Sequence, residues 1–275
     1  MILVTGATGN VGAEVVGALS RASADVRALV RNENAVVPPG VERAVGDLND
    51  VESVADALAG VEGLFLLPGY QAEEGVLERA SRAGVKHVVL LSGSSVTAAD
   101  TDNAVSRYMI RSEEAVRASG LDWTIVRPCA FMSNTLRWLP QLAEGDVVRD
   151  AWGDVPVANV DPRDIGEVAA RALLDGLAGR VLHLSGPEPL LPARRLAVLG
   201  AVLGRDLRFE ALPDAVARAE MEAAMPVEYV DAFFSFYSGG TLDEAIVHPT
   251  VEEVTGRPPR TFHQWAEAHA AAFRS

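Results

Sequence analysis

Short apolar segments alternate with segments of helical spacing along the first half of the chain. The apolar segments are rich in Val, Ile and Leu and are hydrophobic on both faces, which is typical of strands buried in a parallel sheet. The segments between them place apolar side chains three and four residues apart, which predicts helices. The predicted strands lie at 2–5, 26–30, 41–45, 63–67, 87–91 and 123–126.

This alternation predicts the fold class. Parallel strands joined by helices form an α/β, doubly wound (Rossmann) sheet with helices on both faces. After residue 127 the rhythm changes, and the pattern predicts a helix at 160–173, one more strand at 180–184 and mostly helices beyond. We therefore predict a Rossmann domain at 1–185 and a smaller, mostly helical, substrate-binding lid region at 186–275.

A glycine-rich turn joins the first predicted strand to the first helix. In TGATGNVG, residues 5–12, Gly6, Gly9 and Gly12 recur at every third position. Glycine permits a tight turn and lets a pyrophosphate approach the backbone. The helix N-terminus that follows offers unpaired N–H groups and a positive dipole end, which attract phosphate. The turn therefore predicts a dinucleotide site, and a purely structural turn is the alternative.

The end of the second predicted strand indicates which dinucleotide binds. Sites that prefer NAD usually carry Asp or Glu there, bonded to the ribose 2′-hydroxyl. This chain has Arg31 followed by Asn32. A guanidinium can hold a 2′-phosphate through two charge-assisted hydrogen bonds, which favours NADP(H). A solvated surface arginine is the alternative.

Composition and charge exclude several classes of protein. The formal net charge of −14 opposes binding to nucleic acid or to an anionic membrane, because both are polyanions. No apolar run reaches about 18 residues, as a membrane span requires, and a strand beginning at Ile2 leaves no room for a signal peptide. The single cysteine, Cys129, excludes an internal disulfide. We expect a cytoplasmic, bacterial protein without a metal site, whose partner is a small-molecule substrate. The sequence leaves the oligomeric state open.

Several motifs together resemble one family over almost the whole chain. They are TGATGNVG (5–12), VGDLND (45–50), LLPG (66–69), SGLDWTIVRPCAFMSN (119–134), DPRDIGEVAA (161–170) and TGRPPRTFHQWA (255–266). With them the chain resembles the atypical short-chain dehydrogenase/reductases of the NmrA-like group. That group includes NADPH:quinone reductases, azoreductase-like proteins and NADP-binding regulators.

The resemblance implies NADP(H) as the cofactor and assigns its contacts. The glycine turn would bind the pyrophosphate, Asp47 and Leu48 would flank the adenine, and two later strand ends would line the ribose and nicotinamide. An N-cap role, for a helix over 50–58, is the alternative for Asp47. The expected cofactor-binding residues are Gly6, Thr8, Gly9, Asn10, Val11, Gly12, Arg31, Asp47, Leu48, Leu67, Pro68, Gly69, Ser92 and Gly93.

The Tyr-x-x-x-Lys pair of ordinary short-chain dehydrogenases is absent from the sequence. Lys86 is the only lysine, and Tyr108 is followed four residues later by Ser112. The lysine normally lowers the pKa of the tyrosine so that it can exchange a proton with the substrate. Arg111 is no equivalent, because a guanidinium stays protonated. Tyr108 and Ser92 remain candidate catalytic residues, and the alternative is that Tyr108 packs against the lid.

Residues near the predicted nicotinamide side indicate the substrate. Among them, Phe131, Met132 and Trp152 suit an aromatic or otherwise apolar molecule. The candidates are Tyr70, Ser94, Phe131, Met132, Asn134 and Trp152. We predict an NADP(H)-dependent oxidoreductase that reduces a small conjugated, quinone-like acceptor, because water can protonate the stabilised product without a Tyr–Lys pair. A non-catalytic NADP-sensing regulator and a redox-neutral biosynthetic enzyme are the alternatives, since fold does not fix function.

Overall fold

Parallel strands form the centre of the molecule. The computed structural model describes residues 1–98 and 100–274. The strands are β1 (Ile2–Val4), β2 (Val26–Val30), β3 (Glu42–Val45), β4 (Gly63–Leu66), β5 (His87–Leu91), β6 (Asp122–Pro128), β7 (Val147–Asp150), β8 (Arg180–Leu184) and β9 (Arg208–Ala211). Seven of them form one parallel sheet in the order β3-β2-β1-β4-β5-β6-β8, whereas β7 and β9 pair separately. The predicted doubly wound sheet is confirmed.

Helices cover both faces of this sheet. They are α1 (Gly12–Arg21), α2 (Glu73–Ala83), α3 (Ala104–Ala118), α4 (Leu139–Glu144), α5 (Pro162–Asp175), α6 (Pro192–Leu203), α7 (Asp214–Ala224), α8 (Val227–Tyr237), α9 (Thr250–Thr255) and α10 (Phe262–His269). α1 and α5 bury their apolar stripes on one face, and α2 and α3 bury theirs on the other. None of the helices described is long and apolar enough to cross a membrane.

The start of α5 forms as its sequence predicts. The Asp161 carboxylate accepts a hydrogen bond from the backbone N–H of Arg163, and Pro162 occupies the first turn. This cap satisfies an N–H group that would otherwise lack a partner. The predicted apolar stripe of the helix is fully buried, and it consists of Ile165, Val168, Ala169 and Ala172.

The segment after Asp47 does not form the α-helix that the N-cap alternative requires. Two short 3₁₀ helices, Glu52–Val54 and Asp56–Leu58, occupy it. The Ser53 hydroxyl bonds to the backbone N–H and C=O of Asp47, so a side chain competes with helical backbone bonds here. The Asp47 carboxylate instead accepts from the Asn49 N–H at 2.9 Å in a tight turn. The N-cap alternative for Asp47 is therefore wrong.

A second apolar cluster lies beside the main sheet and combines two parts of the chain. Met132, Trp138 and Val148 come from within 1–185, and they pack against residues of α6 and α10 such as Leu196 and Trp265. The apolar cluster of the smaller region is therefore built from residues that lie before and after β8 in the sequence. The boundary at 185/186 stays a prediction.

Candidate functional site

The glycine turn leaves no room for side chains at two positions. Gly6 has φ +59°, and a Cβ there would lie 2.3 Å from Leu67 Cδ1. A Cβ on Gly12 would lie 2.1 Å from the carbonyl oxygen of Gly6. The Gly9 N–H donates to that same carbonyl at 2.8 Å and closes the turn. The N-terminus of α1 is therefore held directly against the end of β1.

The outer edge of the turn is open and fits a pyrophosphate. Thr8, Gly9 and Asn10 are exposed, whereas Val11 and Gly12 are buried beneath them. No side chain caps the N-terminus of α1, so its dipole end faces this opening. A Cβ on Gly9 would project from the turn with only the Gly6 carbonyl oxygen within 4 Å, at 3.2 Å. The residues predicted for the phosphates thus form a cradle that Cβ atoms would fill.

Asn10 also links the turn to the segment that follows β6. Its side-chain amide donates to the Ser133 hydroxyl at 2.6 Å. The two segments are 123 residues apart in sequence, so this contact depends on the tertiary fold. Leu67, which follows β4, is joined to the end of β1, because its N–H donates to the Thr5 hydroxyl at 3.0 Å. The ends of β1, β4 and β6 therefore meet around one opening, as parallel strands predict.

Arg31 lies at the end of β2, where a 2′-phosphate would bind. Its side chain is exposed, and within residues 1–98 and 100–274 no carboxylate pairs with its guanidinium. Asp47 and Leu48 follow the neighbouring β3, so they lie at the same edge of the sheet. Leu48 is buried, whereas Asp47 is half-buried. This arrangement supports the predicted adenosine end of the site.

Replacing Arg31 with alanine should weaken NADPH binding much more than NADH binding. The loss should be roughly 1.5–3 kcal/mol, the contribution of a hydrogen bond to a charged group. NADH lacks the 2′-phosphate, so its affinity should stay nearly constant. Titrating both cofactors against cofactor fluorescence measures the two dissociation constants. An equal loss for NADPH and NADH would remove Arg31 from the 2′-phosphate site.

Ser92 belongs to a buried charged network at the end of β5. Its hydroxyl donates to Glu113 at 2.7 Å, and Arg127 donates two hydrogen bonds to the same carboxylate, at 2.7 and 2.6 Å. Burial alone would raise the pKa of Glu113, but these bonds, with the charges of Arg127 and Arg117, outweigh it and lower that pKa. The hydroxyl proton of Ser92 is thus directed at Glu113.

Tyr108 lies on α3 and faces the loop after β4. A Cβ on Gly69 would lie 3.1 Å from the Tyr108 ring, so glycine allows the two to touch. Burial, and to a smaller extent Tyr229, raises the pKa of Tyr108. Its hydroxyl has no hydrogen-bond partner among the residues described. Ser112, at the position of the usual lysine, accepts from the Gly69 N–H and donates to Glu73.

An apolar cleft opens beside Ser92 and Gly93, on the expected nicotinamide side. It encloses about 300 Å³ between the strand ends and α8. Its walls include Tyr108, Phe131, Asn134, Phe233, Phe236 and Leu242. Of the predicted substrate residues, Ser94, Phe131 and Asn134 line this cleft.

The other predicted substrate residues lie elsewhere. Met132 is fully buried in the cluster beside the main sheet. Tyr70 is half-buried against the core beneath α2 and α3. Trp152 lines a neighbouring cavity, where its indole N–H donates to Ser238 at 2.9 Å. The side chain of Met132 points inward because its 3₁₀ helix packs on the apolar cluster.

Sequence reasoning missed Glu244, which forms part of the cleft wall. Its buried carboxylate accepts hydrogen bonds from Ser94 at 2.6 Å, the Ala130 N–H at 2.8 Å and Tyr237 at 2.8 Å. Burial raises the pKa of Glu244, and the three hydrogen bonds oppose that rise. Ser94 and Glu244 are 150 residues apart, so no local pattern could have paired them. Glu244 joins α8 and the segment after β6 into one wall.

Comparisons with known proteins agree with this geometry. A family profile described as NAD(P)H-binding matches residues 6–175. The chain belongs to this NAD(P)H-binding family. It is 45% identical to the Streptomyces griseus (4-alkanoyl-5-oxo-2,5-dihydrofuran-3-yl)methyl phosphate reductase, with 99% of each chain aligned. It is 36% identical to the NAD(P)H azoreductase of Xenophilus azovorans, again over 99% of each chain.

A solved structure supports the same assignment. The NADPH-dependent quinone oxidoreductase of Escherichia coli superposes with a TM-score of 0.81 at 26% identity, covering 98% of this chain and 100% of the other. The resemblance to the NmrA-like, atypical short-chain dehydrogenase/reductases is confirmed. The chain is an NAD(P)H-dependent oxidoreductase of the reductase type.

Proposed function

We propose that the protein reduces a carbon–carbon double bond that is conjugated with carbonyl groups in a small acceptor. NADPH, when bound, supplies hydride from its nicotinamide ring. The observation that carries the proposal is the apolar cleft beside Ser92 and Gly93, at the carboxyl ends of β5 and β6. Ligands of doubly wound folds bind at this edge of the sheet.

The names of two of these relatives, the furanone reductase and the quinone oxidoreductase, indicate acceptors of one electronic type. A 4-alkanoyl-5-oxo-2,5-dihydrofuran has a ring double bond conjugated with both the ring carbonyl and the alkanoyl carbonyl. A quinone has carbon–carbon double bonds between two carbonyls. It is the type of acceptor that the sequence analysis predicts. In both, hydride addition to carbon moves negative charge onto oxygen, where it is delocalised. An acyl furanone or a quinone therefore suits the cleft equally well.

The residues of this chain would position the acceptor rather than protonate it. Phe131 and Phe236 offer apolar surface to the acceptor. The Ser92 hydroxyl is bonded to Glu113, and Tyr108 has a raised pKa, so neither is a good acid at neutral pH. Water can protonate the delocalised anion afterwards, because that anion is weakly basic.

Removing the Tyr108 hydroxyl should therefore change the rate only slightly. We expect Tyr108→Phe to lower kcat less than tenfold, or roughly 1.4 kcal/mol of barrier. A general acid would contribute about 10²–10⁴-fold. The measurement is kcat of both forms on the best acceptor between pH 6 and 9. A drop beyond a hundredfold, with loss of the basic limb of the profile, would restore a tyrosine mechanism.

A panel assay tests the proposed reaction. The protein and NADPH are mixed with quinones, azo dyes, simple enones, an α-acylated furanone and isolated ketones, and absorbance of the reduced nicotinamide is followed. We expect turnover with the conjugated carbonyl compounds and slow or no turnover with isolated ketones. Absence of turnover across the panel, together with tight and unequal binding of NADPH and NADP⁺, would favour the sensing function instead.

A further inference from the structure

A second cavity adjoins the cleft, and its otherwise largely apolar wall contains two arginines. The two share Ala130, Asn134 and Tyr237 in their walls, so they lie next to each other. The cavity encloses about 60 Å³, and its walls also include Arg137 and Arg195. It is therefore a small recess beside the cleft, with two guanidinium groups.

Arg195 is buried without a direct ion pair. The residue is only 6% exposed, and among the residues described its guanidinium makes no hydrogen bond and no ion pair. Its Nε is cut off from solvent and has no partner. The guanidinium carbon lies 5.4 Å from the centre of the Trp138 ring. An unpaired buried charge is costly, so its retention needs a reason beyond packing.

The groups around Arg195 leave this recess positive. Arg137 pairs with Asp150 at 2.5 Å, and Asp150 also accepts from the Trp138 indole N–H. One carboxylate thus faces two guanidinium groups. The helix α6 begins at Pro192, in the wall of the recess, so the positive end of its dipole adds to the field. Burial, with Arg137 nearby, lowers the pKa of Arg195 to about 10, and the side chain stays charged at neutral pH.

One unpaired acceptor faces the same recess. The Asn159 side-chain amide donates to the carbonyl oxygens of Ala130 and Phe131, at 3.2 and 3.4 Å, which fixes its orientation. Its carbonyl oxygen is then buried and has no partner. A ligand that is anionic and also carries a hydroxyl would satisfy both the guanidinium groups and this oxygen. A phosphate monoester offers several anionic oxygens to the guanidinium groups, and its monoanion, which forms below the second pKa of about 6, also carries a hydroxyl that can donate to this oxygen.

We propose that this recess binds a phosphate monoester carried by the acceptor, with Arg195 as its main ligand and Arg137 and Asn159 as supporting contacts. The inference rests on the proposed function, because the double bond of the same molecule would lie in the adjoining cleft. The phosphate then acts as an anchor that orients the acceptor. The acceptor class narrows to phosphorylated, conjugated carbonyl compounds.

A binding test needs no turnover. The protein is first loaded with NADP⁺, so that the 2′-phosphate site is filled, and methyl phosphate is then titrated at constant ionic strength while Tm is recorded. A ligand that binds only the folded state raises Tm. We expect saturating stabilisation of the wild type, at least tenfold weaker binding by Arg195→Met, and wild-type behaviour in Arg194→Met. Arg194 is exposed on the same helix, so this control removes the same charge outside the recess.

The stability of Arg195→Met without ligand separates a binding role from a structural one. If Arg195 is kept for a ligand, its removal should leave Tm equal or higher, because an unpaired buried charge is lost. A lower Tm, with equal methyl phosphate binding by the variant and the wild type, would overturn the proposal. Failure of methyl phosphate to stabilise the wild type would overturn it as well.

A kinetic test places the phosphate on the acceptor. An acylated furanone bearing a hydroxymethyl group is compared with its phosphate ester, as the ratio of the two kcat/KM values. We expect the wild type to prefer the ester at least a hundredfold and Arg195→Met to lose that preference. Turnover of both without preference would overturn the subsite and leave the reductase intact. No turnover of either, with methyl phosphate still bound through Arg195, would overturn the reduction alone.

Discussion

Gly9→Val should abolish NADPH binding in a protein that still folds. Gly9 is exposed, and a Cβ there meets only the Gly6 carbonyl oxygen, at 3.2 Å, so the turn can accept it with a small shift. The branched side chain would instead fill the space through which the pyrophosphate reaches the N-terminus of α1. Losing charge-assisted contacts of about 1.5–3 kcal/mol each implies a loss of affinity of at least about a hundredfold.

The test compares Tm and the dissociation constant of NADPH. Gly145→Val is the matched control, because that glycine has an extended backbone at φ 171° and no atom within 4 Å of an added Cβ. The control should bind NADPH as the wild type does. If a folded Gly9→Val protein keeps its NADPH affinity, the glycine turn is structural only.

Glu113→Gln should destabilise the protein by roughly 3 kcal/mol, at the lower end of the cost of breaking a buried ion pair. The carboxylate is 4% exposed, and it is the counter-charge of Arg127, whose side chain is 17% exposed. A neutral amide keeps one acceptor but leaves that guanidinium unpaired. The Ser92 hydroxyl would also lose a charged acceptor, so the part of the cleft wall that contains Ser92 should become less rigid.

The destabilisation should depend on pH in a defined direction. The bonds from Arg127 and Ser92 hold the pKa of Glu113 below its usual value of 4.5, despite burial. The folded state therefore binds this proton less tightly than the unfolded state does. The stability that the ionised carboxylate contributes is fully present above about pH 4.5 and is lost as the pH falls through the depressed folded pKa.

Urea unfolding between pH 3 and 7 measures this effect. The gap in unfolding free energy between wild type and Glu113→Gln should be constant near neutral pH and should shrink below about pH 4.5. Glu114→Gln, an exposed neighbour on the same helix, should match the wild type throughout. A variant as stable as the wild type, or a gap that persists unchanged to pH 3, would contradict the assigned network.

The sequence predicts those elements whose burial pattern is simple. Strands of the main sheet are covered on both faces, so their uniform apolar runs are readable without tertiary information. The start of α5 is equally local, because Asp161 and Pro162 act on their own helix end. The bounds of α8 cannot be read from the sequence, because its buried residues, which include Phe234 and Phe236, do not form an amphipathic stripe. β7 and β9 form only through pairing with each other.

The same distinction applies to the site. The glycine turn and Arg31 can be found in the sequence because each belongs to one strand end with known geometry. Glu244 and Arg195 could not be found, because their roles depend on contacts with distant segments and on the absence of a partner. Trp152 and Met132 were expected in the cleft because they suit an apolar substrate, whereas tertiary packing places Met132 in the cluster beside the main sheet and Trp152 in the neighbouring cavity. The residues expected to bind the cofactor can be found from local sequence, whereas the residues expected to contact the substrate depend on contacts between distant segments.

Transfer of deuterium from labelled NADPH tests the central claim most directly. NADPH carrying two deuterium atoms at nicotinamide C4 is incubated with the protein and an α-acylated furanone, whose reduced product cannot aromatise and lose the label, and the product is analysed by mass spectrometry and NMR. We predict one deuterium on the carbon β to the carbonyl, none at the α carbon, and a slower turnover than with unlabelled NADPH. Reduced product without deuterium, or deuterium found only at another position, would contradict hydride transfer to the conjugated double bond.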